Sequence, residues 1–193
     1  MNPELHIIYP ESALAWRQWL SQHHETNQTV WVACAKKQAS KYTLNHAEAV
    51  AEALCFGWID GTTRSLNAEY FIQSFTKRKS KSMWCRANKE KVAELTANGL
   101  MQPAGLAAVH AAKKNGYWTI LDEVEALKIP ADLRHELHTD MSAEAFFDKL
   151  SNSDKKRLLT WLVLAKRPET RAQRIREIVS CAAAGLKPGL LAR

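Results

Sequence analysis

The chain has 193 residues, of which 46% are hydrophobic and 24% charged, a composition typical of a globular protein large enough to bury a real core. Its four cysteines lack metal-type spacing, and there is no signal peptide or long apolar run. These features argue against a zinc site, a disulfide framework and a membrane span, and we expect a cytoplasmic location. A formal net charge of +7 favours an anionic partner without identifying it.

Residues 1–120 are predicted to combine helices with a small sheet. Ser12 precedes an amphipathic run and predicts a helix cap, whereas 29–35 is rich in β-branched and aromatic residues, which is typical of a strand. Asn45 and Glu48 have the spacing of a capping box, in which each side chain bonds the other residue's backbone N–H. A second helix is therefore expected to begin there.

The segment after this second helix, CFGWIDG, holds Asp60 close to two glycines. Gly57 predicts the end of the helix, because glycine readily adopts the left-handed backbone found at helix ends. The runs 58–65 and 69–75 have the composition of strands and are close enough to form a hairpin. With the earlier strand they predict a small, largely antiparallel sheet of about three strands.

Helices are predicted for most of the remaining chain. Ser82 predicts the cap of a helix with one shared face, formed by Trp84, Asn88, Val92 and Leu95. An all-helical region is predicted for residues 130–185, and a loose tail is predicted for residues 186–193. The fold class is therefore α+β and mostly helical, with the small sheet packed against helices and followed by the helical C-terminal region. We expect 1–193 to form a single compact unit.

Two polar side chains fall on predicted apolar faces and therefore need partners, since an unpaired buried polar group costs about 1–3 kcal/mol. Asn88 lies one turn after Trp84, and Arg171 begins the apolar stripe of the last helix. Asp60 is a candidate partner for Arg171. Two interpretations stay open: a structural network that joins the two parts of the chain, or a ligand pocket with Trp58 and Trp84 as its walls.

Arg171 also belongs to a basic helix flank. Together with Arg167 and Arg174 it follows the spacing i, i+4 and i+7, which places three guanidinium groups along one side of a helix. Guanidinium groups donate hydrogen bonds in pairs and are suited to phosphate and carboxylate recognition. A solvated basic surface is the alternative interpretation.

Other chemical signals are weaker. His135 and His138 have an i, i+3 spacing that metal sites can use, but the HExxH pattern is absent, so we expect a solvated helix and no metal or cofactor. Cys85 follows the predicted helix cap and adjoins Arg86. This setting can make a thiol reactive, although a thiol without an identified base is more often inert. The sequence contains no P-loop, dinucleotide fingerprint or nucleophile elbow.

Four segments match one family in both order and spacing. They are ALCFGWIDG at 53–61, FTKRKSKSMWCRANK at 75–89, NGLMQPAGLAAVHAAKKNGYW at 98–118 and LVLAKRPETRAQRIREIV at 162–179. From about residue 45 onward the chain resembles the YdeI/OmpD-associated family, also called bacteriocin-protection proteins. This resemblance implies a soluble bacterial α/β protein with a helical C-terminal region and a role in envelope stress or bacteriocin resistance, without an established reaction.

The residues that match the family's pattern also supply the candidate ligand-binding set. This set is Trp58, Asp60, Arg78, Trp84, Asn88, Lys166, Arg171 and Arg174. The chain departs from the pattern at Lys77, where proline is expected, and at Cys85, where serine is expected. Any role of that serine hydroxyl does not carry over to this chain.

Three functions follow from these features. The first is a non-enzymatic binding protein whose Trp/Asp/Arg pocket takes a small anionic or amphipathic ligand. The second is a nucleic-acid-binding protein that uses the basic stretches 77–91 and 166–176, with Trp84 stacking on bases. The third, with least support, is a hydrolase or transferase of unknown reaction. A protein partner and the oligomeric state stay open.

Overall fold

The computed structural model describes residues 7–25, 28–40 and 43–191. The chain divides into two compact units, Met1–Trp118 and Thr119–Arg193, and each has its own hydrophobic core. The mostly helical α+β class is confirmed. That 1–193 forms a single compact body stays a prediction. Within the described ranges, no helix combines the length and apolar character needed to span a bilayer.

The sheet of the first unit has four strands among the described residues, one more than predicted. They are β1 (Ile7–Ile8), β2 (Val30–Ala35), β3 (Trp58–Ser65) and β4 (Tyr70–Lys77), arranged in the order β1-β2-β4-β3. β4 pairs antiparallel with both β2 and β3, as the hairpin prediction required, whereas β1 pairs parallel with β2. β1 was missed because two residues are too few to show an alternating pattern.

Strand β3 forms one edge of the sheet, and its pairing with β4 is irregular. The register shifts between Asp60 and Thr63. Within this irregular stretch the Thr62 backbone N–H donates to Ser74 Oγ at 2.7 Å, so a side chain replaces part of the regular ladder. Beyond Asp60 the residues of β3 are exposed to solvent.

In the described part of the first unit, four helices accompany this sheet: α1 (Ala13–His23), α2 (His46–Cys55), α3 (Arg86–Ala97) and α4 (Pro103–Lys114). The first two caps are as predicted. Ser12 accepts from the Ala15 N–H at 3.1 Å, and Asn45 and Glu48 form the reciprocal capping box. These caps are predictable because a cap depends only on residues within one turn of it.

The predicted cap at Ser82 is wrong. Helix α3 begins at Arg86 with Cys85 as its N-cap residue, and Ser82 Oγ instead accepts from the Lys79 N–H at 3.0 Å in a local turn. Trp84 therefore lies in the segment before the helix and does not share a helical face with Asn88. The side chain of Trp84 is only 1% exposed, and its burial in the core holds this segment in a non-helical path.

Large aromatic side chains form much of the core of the first unit. Its fully buried members include Trp16, Leu20, Trp58 and Phe75, which lie between the sheet and helices α1 and α2. The α2 helix ends as predicted, with Gly57 at a φ of +74°. This left-handed conformation is one that glycine adopts without steric strain.

All regular secondary structure in the described part of the second unit is helical. Its helices are α5 (Asp122–Glu125), α6 (Ala131–His138), α7 (Met141–Lys149), α8 (Asn152–Val163) and α9 (Pro168–Ala183). The prediction of an all-helical region over 130–185 is confirmed. The core of this unit is formed mainly by leucine, isoleucine and phenylalanine side chains, including Leu133, Phe147, Leu158, Leu162 and Ile178.

The prediction of a loose tail is wrong for the described part of 186–193. Gly189–Leu191 forms a short 3-10 helix, and Leu191 is 6% exposed because it packs into the core of the second unit. Lys187 Nζ also donates to Asp154 Oδ2 at 2.8 Å. Burial of one large apolar side chain, which single-sequence patterns do not reveal at a chain end, accounts for this order. Residues 192–193 of the predicted tail lie outside the described residues.

Candidate ligand-binding site

Arg78 occupies the most unusual position of the predicted site residues. It follows strand β4, and its backbone N–H donates to the Gly57 carbonyl oxygen at 2.9 Å. The side chain is only 9% exposed. Arginine is almost never buried to this degree without a charged or hydrogen-bonding partner, so the contacts of its guanidinium group are informative.

The Arg78 guanidinium group has one hydrogen-bonded nitrogen and two unpaired ones. Nη1 donates to the Met83 carbonyl oxygen at 3.1 Å, and Cζ lies 3.6 Å from the centre of the Trp84 ring. Nε and Nη2 are buried and have no hydrogen-bond partner. Burial lowers the pKa of Arg78 to about 10, and the nearby Cys85 and Asp60 side chains act in the opposite direction. Arg78 is therefore a buried cation with spare donors.

Aromatic rings and lysines extend the surroundings of Arg78. The ring centres of Trp84 and Trp118 lie 5.0 Å apart. Lys113 Nζ lies 5.2 Å and Lys89 Nζ 5.8 Å from the centre of the Trp118 ring. A cation over an aromatic face is favourable, and here two lysines and one arginine are held close to two indoles whose planes are tilted by 47°. The local charge is thus predominantly positive.

The other predicted residues of the first unit have different environments. Trp58 is fully buried, and its Nε1 donates to the His24 carbonyl oxygen at 2.9 Å, so it belongs to the core. Asn88 is half-buried in the first turn of α3. Asp60 is partly exposed, and its Oδ2 lies 3.5 Å from His46 Nε2.

The predicted pairing of Asp60 with Arg171 is corrected by the structure, which gives each residue a partner inside its own unit. Arg171 Nε and Nη2 donate to the two carboxylate oxygens of Asp132 at 2.6 and 2.9 Å. This bidentate pair joins α9 to α6, and Arg171 Nη1 also donates to the Leu162 carbonyl oxygen at 3.3 Å. Asp132 was not proposed as a partner, because no local pattern links residues so distant in sequence.

Arg174 and Lys166 also lie in the second unit. Arg174 Cζ lies 4.8 Å from the centre of the Trp161 ring, and its Nη1 donates to the Trp161 carbonyl oxygen. Lys166 is exposed. A cavity of about 590 Å³ adjoins this region, lined by Asp132, His135, Glu136, Pro168, Arg171, Ala172, Ile175 and Arg176. Its lining contains both acidic and basic groups, so it does not select one charge.

The structure also bears on two other kinds of site considered for this chain, a metal site and a nucleic-acid site. His138 Nδ1 lies 2.8 Å from Glu144 Oε1 on the neighbouring helix, and within the described residues no three metal-ligating side chains come together. In this structure the Trp84 ring is 1% exposed, so stacking of nucleic-acid bases on it would require the ring to be uncovered first, and this function stays a prediction.

Comparison with known families finds a match in each of the two units. A family model described as a domain of unknown function, DUF8412, matches residues 8–108, and the chain belongs to that family. A second family model, described as Bacteriocin-protection, YdeI or OmpD-Associated, matches residues 126–185 and confirms the suspected resemblance over that part. Of the four matching sequence segments, only 162–179 lies within the second match. No curated protein and no solved structure matches the chain.

Proposed function

We propose that this chain is a non-enzymatic protein of the bacteriocin-protection type whose first unit binds a small anionic ligand at Arg78. The observation that carries the proposal is the buried guanidinium group with unpaired Nε and Nη2. A buried unpaired donor costs about 1–3 kcal/mol, and a buried charge costs more. An anion that accepts from both nitrogens removes this cost and neutralises the charge.

The start of helix α3 supports the same ligand chemistry. No side chain caps this helix at its N-cap residue Cys85, so the backbone N–H groups of its first turn are left to other acceptors. The positive end of the helix dipole also favours an anion there. Asn88, in that first turn, carries a further amide donor. In this proposal Arg78 and the beginning of α3 donate to the same small oxyanion.

The remaining candidates have distinct parts in this proposal. Trp84 forms the wall on which Arg78 stacks, and Trp58 supports the site from the core. Asp60 offsets part of the Arg78 charge, since its carboxylate acts to raise the pKa of Arg78. Because Nε and Nη2 are buried, ligand entry requires the 78–85 segment to move. Ligand contacts by Lys166, Arg171 and Arg174 in the second unit stay predictions.

Isothermal titration calorimetry of the full chain with inorganic phosphate, sulfate and acetate tests this function. We expect at least one of these anions to bind the parent and Arg78→Met to weaken that binding at least tenfold, because each hydrogen bond to a charged group contributes about 1.5–3 kcal/mol. Arg64→Met is the matched control, since Arg64 also stacks on a tryptophan, Trp31 at 4.6 Å, but is exposed. The control is expected to bind like the parent.

Thermal unfolding of the same variants separates loss of ligand binding from loss of structure. Arg78→Met removes two unpaired buried donors, so its melting temperature is expected to equal or exceed that of the parent without ligand. The proposal is contradicted if the parent binds none of the three anions. It is also contradicted if folded Arg78→Met binds an anion as tightly as the parent does.

A further inference from the structure

We propose that a groove on helix α8 of the second unit binds a free single-chain carboxylate, an amphiphile with one apolar chain and one anionic head group. The groove has a volume of about 410 Å³, within the range of about 300–1,000 Å³ that is usual for small-molecule sites. Its lining comes from α8, the C-cap residue of α8 and the short 3-10 helix after α9, and it includes Lys156, Arg157, Trp161, Leu164 and Leu190. None of these residues belongs to the first unit, so the inference does not rest on the proposed function.

The groove is elongated, because one face of α8 forms its floor. Lys156, Thr160 and Leu164 follow one another at steps of four residues, and Arg157 and Trp161 form a second row beside them. From Lys156 to Leu164 the lining extends about 12 Å along the helix axis, at about 1.5 Å per residue. A groove of this shape suits an extended chain better than a compact anion such as phosphate.

The apolar part of the groove is open to solvent. Trp161 and Leu164 are half-buried, and Leu190 is 36% exposed. The position of Leu190 is fixed on both sides, because its neighbour Leu191 packs into the core and its own carbonyl oxygen accepts a hydrogen bond from Arg157 Nη2. An alkyl chain that covers these side chains removes apolar surface from water, which favours binding.

The charge around the groove favours an anionic head group. Of the described residues that line it, the charged ones are Lys156 and Arg157, and both are cations. Lys156 Nζ lies 3.0 Å from Glu125 Oε2, whereas Arg157 forms no ion pair with a carboxylate among the described residues. The second unit has 13 Lys and Arg against 11 Asp and Glu, so a lining with cations alone is a local feature.

Asp154 does not neutralise Arg157. Its carboxylate accepts a hydrogen bond from Lys187 Nζ at 2.8 Å. The pKa of Asp154 is lowered mainly by this hydrogen bond from Lys187, and Arg157 contributes least. The Arg157 guanidinium group therefore keeps its charge available at the edge of an apolar groove, and a carboxylate is the complementary head group.

Isothermal titration calorimetry of the full chain with decanoate, below the concentration at which it forms micelles, tests the inference. We expect decanoate to bind the parent, and decyltrimethylammonium, which has a similar chain and the opposite charge, to bind at least tenfold more weakly. Arg78→Met is expected to bind decanoate like the parent. If decanoate binding is lost in folded Arg78→Met, the groove is not its site and this inference is overturned, whereas the proposed function is supported.

Substitutions on the groove and one matched control locate the site. Leu190→Gln is expected to weaken decanoate binding at least fivefold through loss of an apolar contact, and Arg157→Met at least threefold through loss of the head-group partner. Val163→Gln is the control, because Val163 is also 36% exposed and lies on α8 but does not line the groove. Circular dichroism verifies the fold of each variant. If Leu190→Gln releases the 3-10 helix, Leu164→Gln provides the same test.

The inference is overturned if the parent binds no decanoate, or if it binds the two amphiphiles equally well. It is also overturned if folded Leu190→Gln and Leu164→Gln both bind decanoate as tightly as the parent does. A second copy of the chain is the other occupant to be tested, by sedimentation velocity. A dimer that Leu190→Gln dissociates and decanoate does not would show that a second copy covers the groove, and it too would overturn the inference.

Discussion

Gly105 shows at the scale of one residue how closely two helices approach. It lies inside α4, where glycine is less favourable than alanine by about 1 kcal/mol. A Cβ atom at this position would overlap the Cys55 carbonyl group and lie 2.8 Å from both Cys55 C and Leu54 O. The end of α2 therefore requires a residue without a side chain on α4, and sequence inspection gave no sign of this.

Gly105→Ala is expected to destabilise the first unit by about 1–3 kcal/mol, the usual cost of overpacking, in spite of its better helix propensity. Urea unfolding followed by circular dichroism measures the change. Gly189→Ala is the control, because no atom lies within 4 Å of a Cβ at that position, and a change within about 0.5 kcal/mol is expected. A Gly105→Ala protein as stable as the parent would show that the close approach is absent in solution.

Arg78 illustrates what can be learned about a residue from sequence alone. Family resemblance placed it in the candidate site together with Trp84, and the structure indeed stacks the two side chains. Its two unpaired nitrogens could not have been foreseen, because they depend on how the 78–85 segment folds over the end of β4.

At the scale of elements, features encoded within one helical turn could be predicted, and partners brought together by packing could not. The caps at Ser12 and Asn45 and the bounds of β3 follow from local residues. The start of α3 does not, since burial of Trp84 overrides the local signal at Ser82. The chain contains 20 Asp and Glu residues that could pair with Arg171. Asp132 is its partner because α6 packs against α9.

The bidentate pair between α6 and α9 should make the stability of the second unit depend on pH. The hydrogen bonds from Arg171 lower the pKa of Asp132 below its usual value of 3.8, although Asp132 loses some solvation. A depressed carboxyl pKa contributes stability that is present above the usual value and is lost as the pH falls through the lower, folded value. The contribution is therefore complete at neutral pH and disappears in acid.

Asp132→Asn is expected to lose about 0.5–1 kcal/mol at pH 6, a small value because the side chains of Asp132 and Arg171 are 46% and 29% exposed. Urea unfolding at pH 6 and at pH 3 measures the difference from the parent, which should shrink at the lower pH. Asp148→Asn, at an exposed position on α7, provides the control. A loss that is equal at both pH values would mean that the charge of Asp132 does not contribute.

At the scale of the whole molecule, the positive charge is unevenly shared. Residues 1–118 contain 14 Lys and Arg against 9 Asp and Glu, whereas residues 119–193 contain 13 against 11. Most of the excess thus belongs to the unit that contains Arg78. Such an excess attracts small anions and nucleic acids alike, so charge alone does not separate the two classes of partner.

Tryptophan fluorescence and gel retardation with single-stranded DNA distinguish these partners. Because Trp84 is buried, we expect no quenching by DNA and no retardation at physiological salt, since contacts made through charge alone weaken steeply as salt is added. Inorganic phosphate provides the comparison ligand. Quenching by DNA that disappears in Trp84→Phe would contradict this expectation and support the nucleic-acid function.

The irregular edge of the sheet has a consequence for behaviour at high concentration. A flat outer strand is a template on which further chains can add, and such growth leads to fibrils. In β3 the register shift after Asp60 bends the edge strand, and the exposed Arg64 adds a positive charge to it. This edge is therefore protected against self-association by strand addition, and a basic protein of this kind can accumulate without polymerising through it.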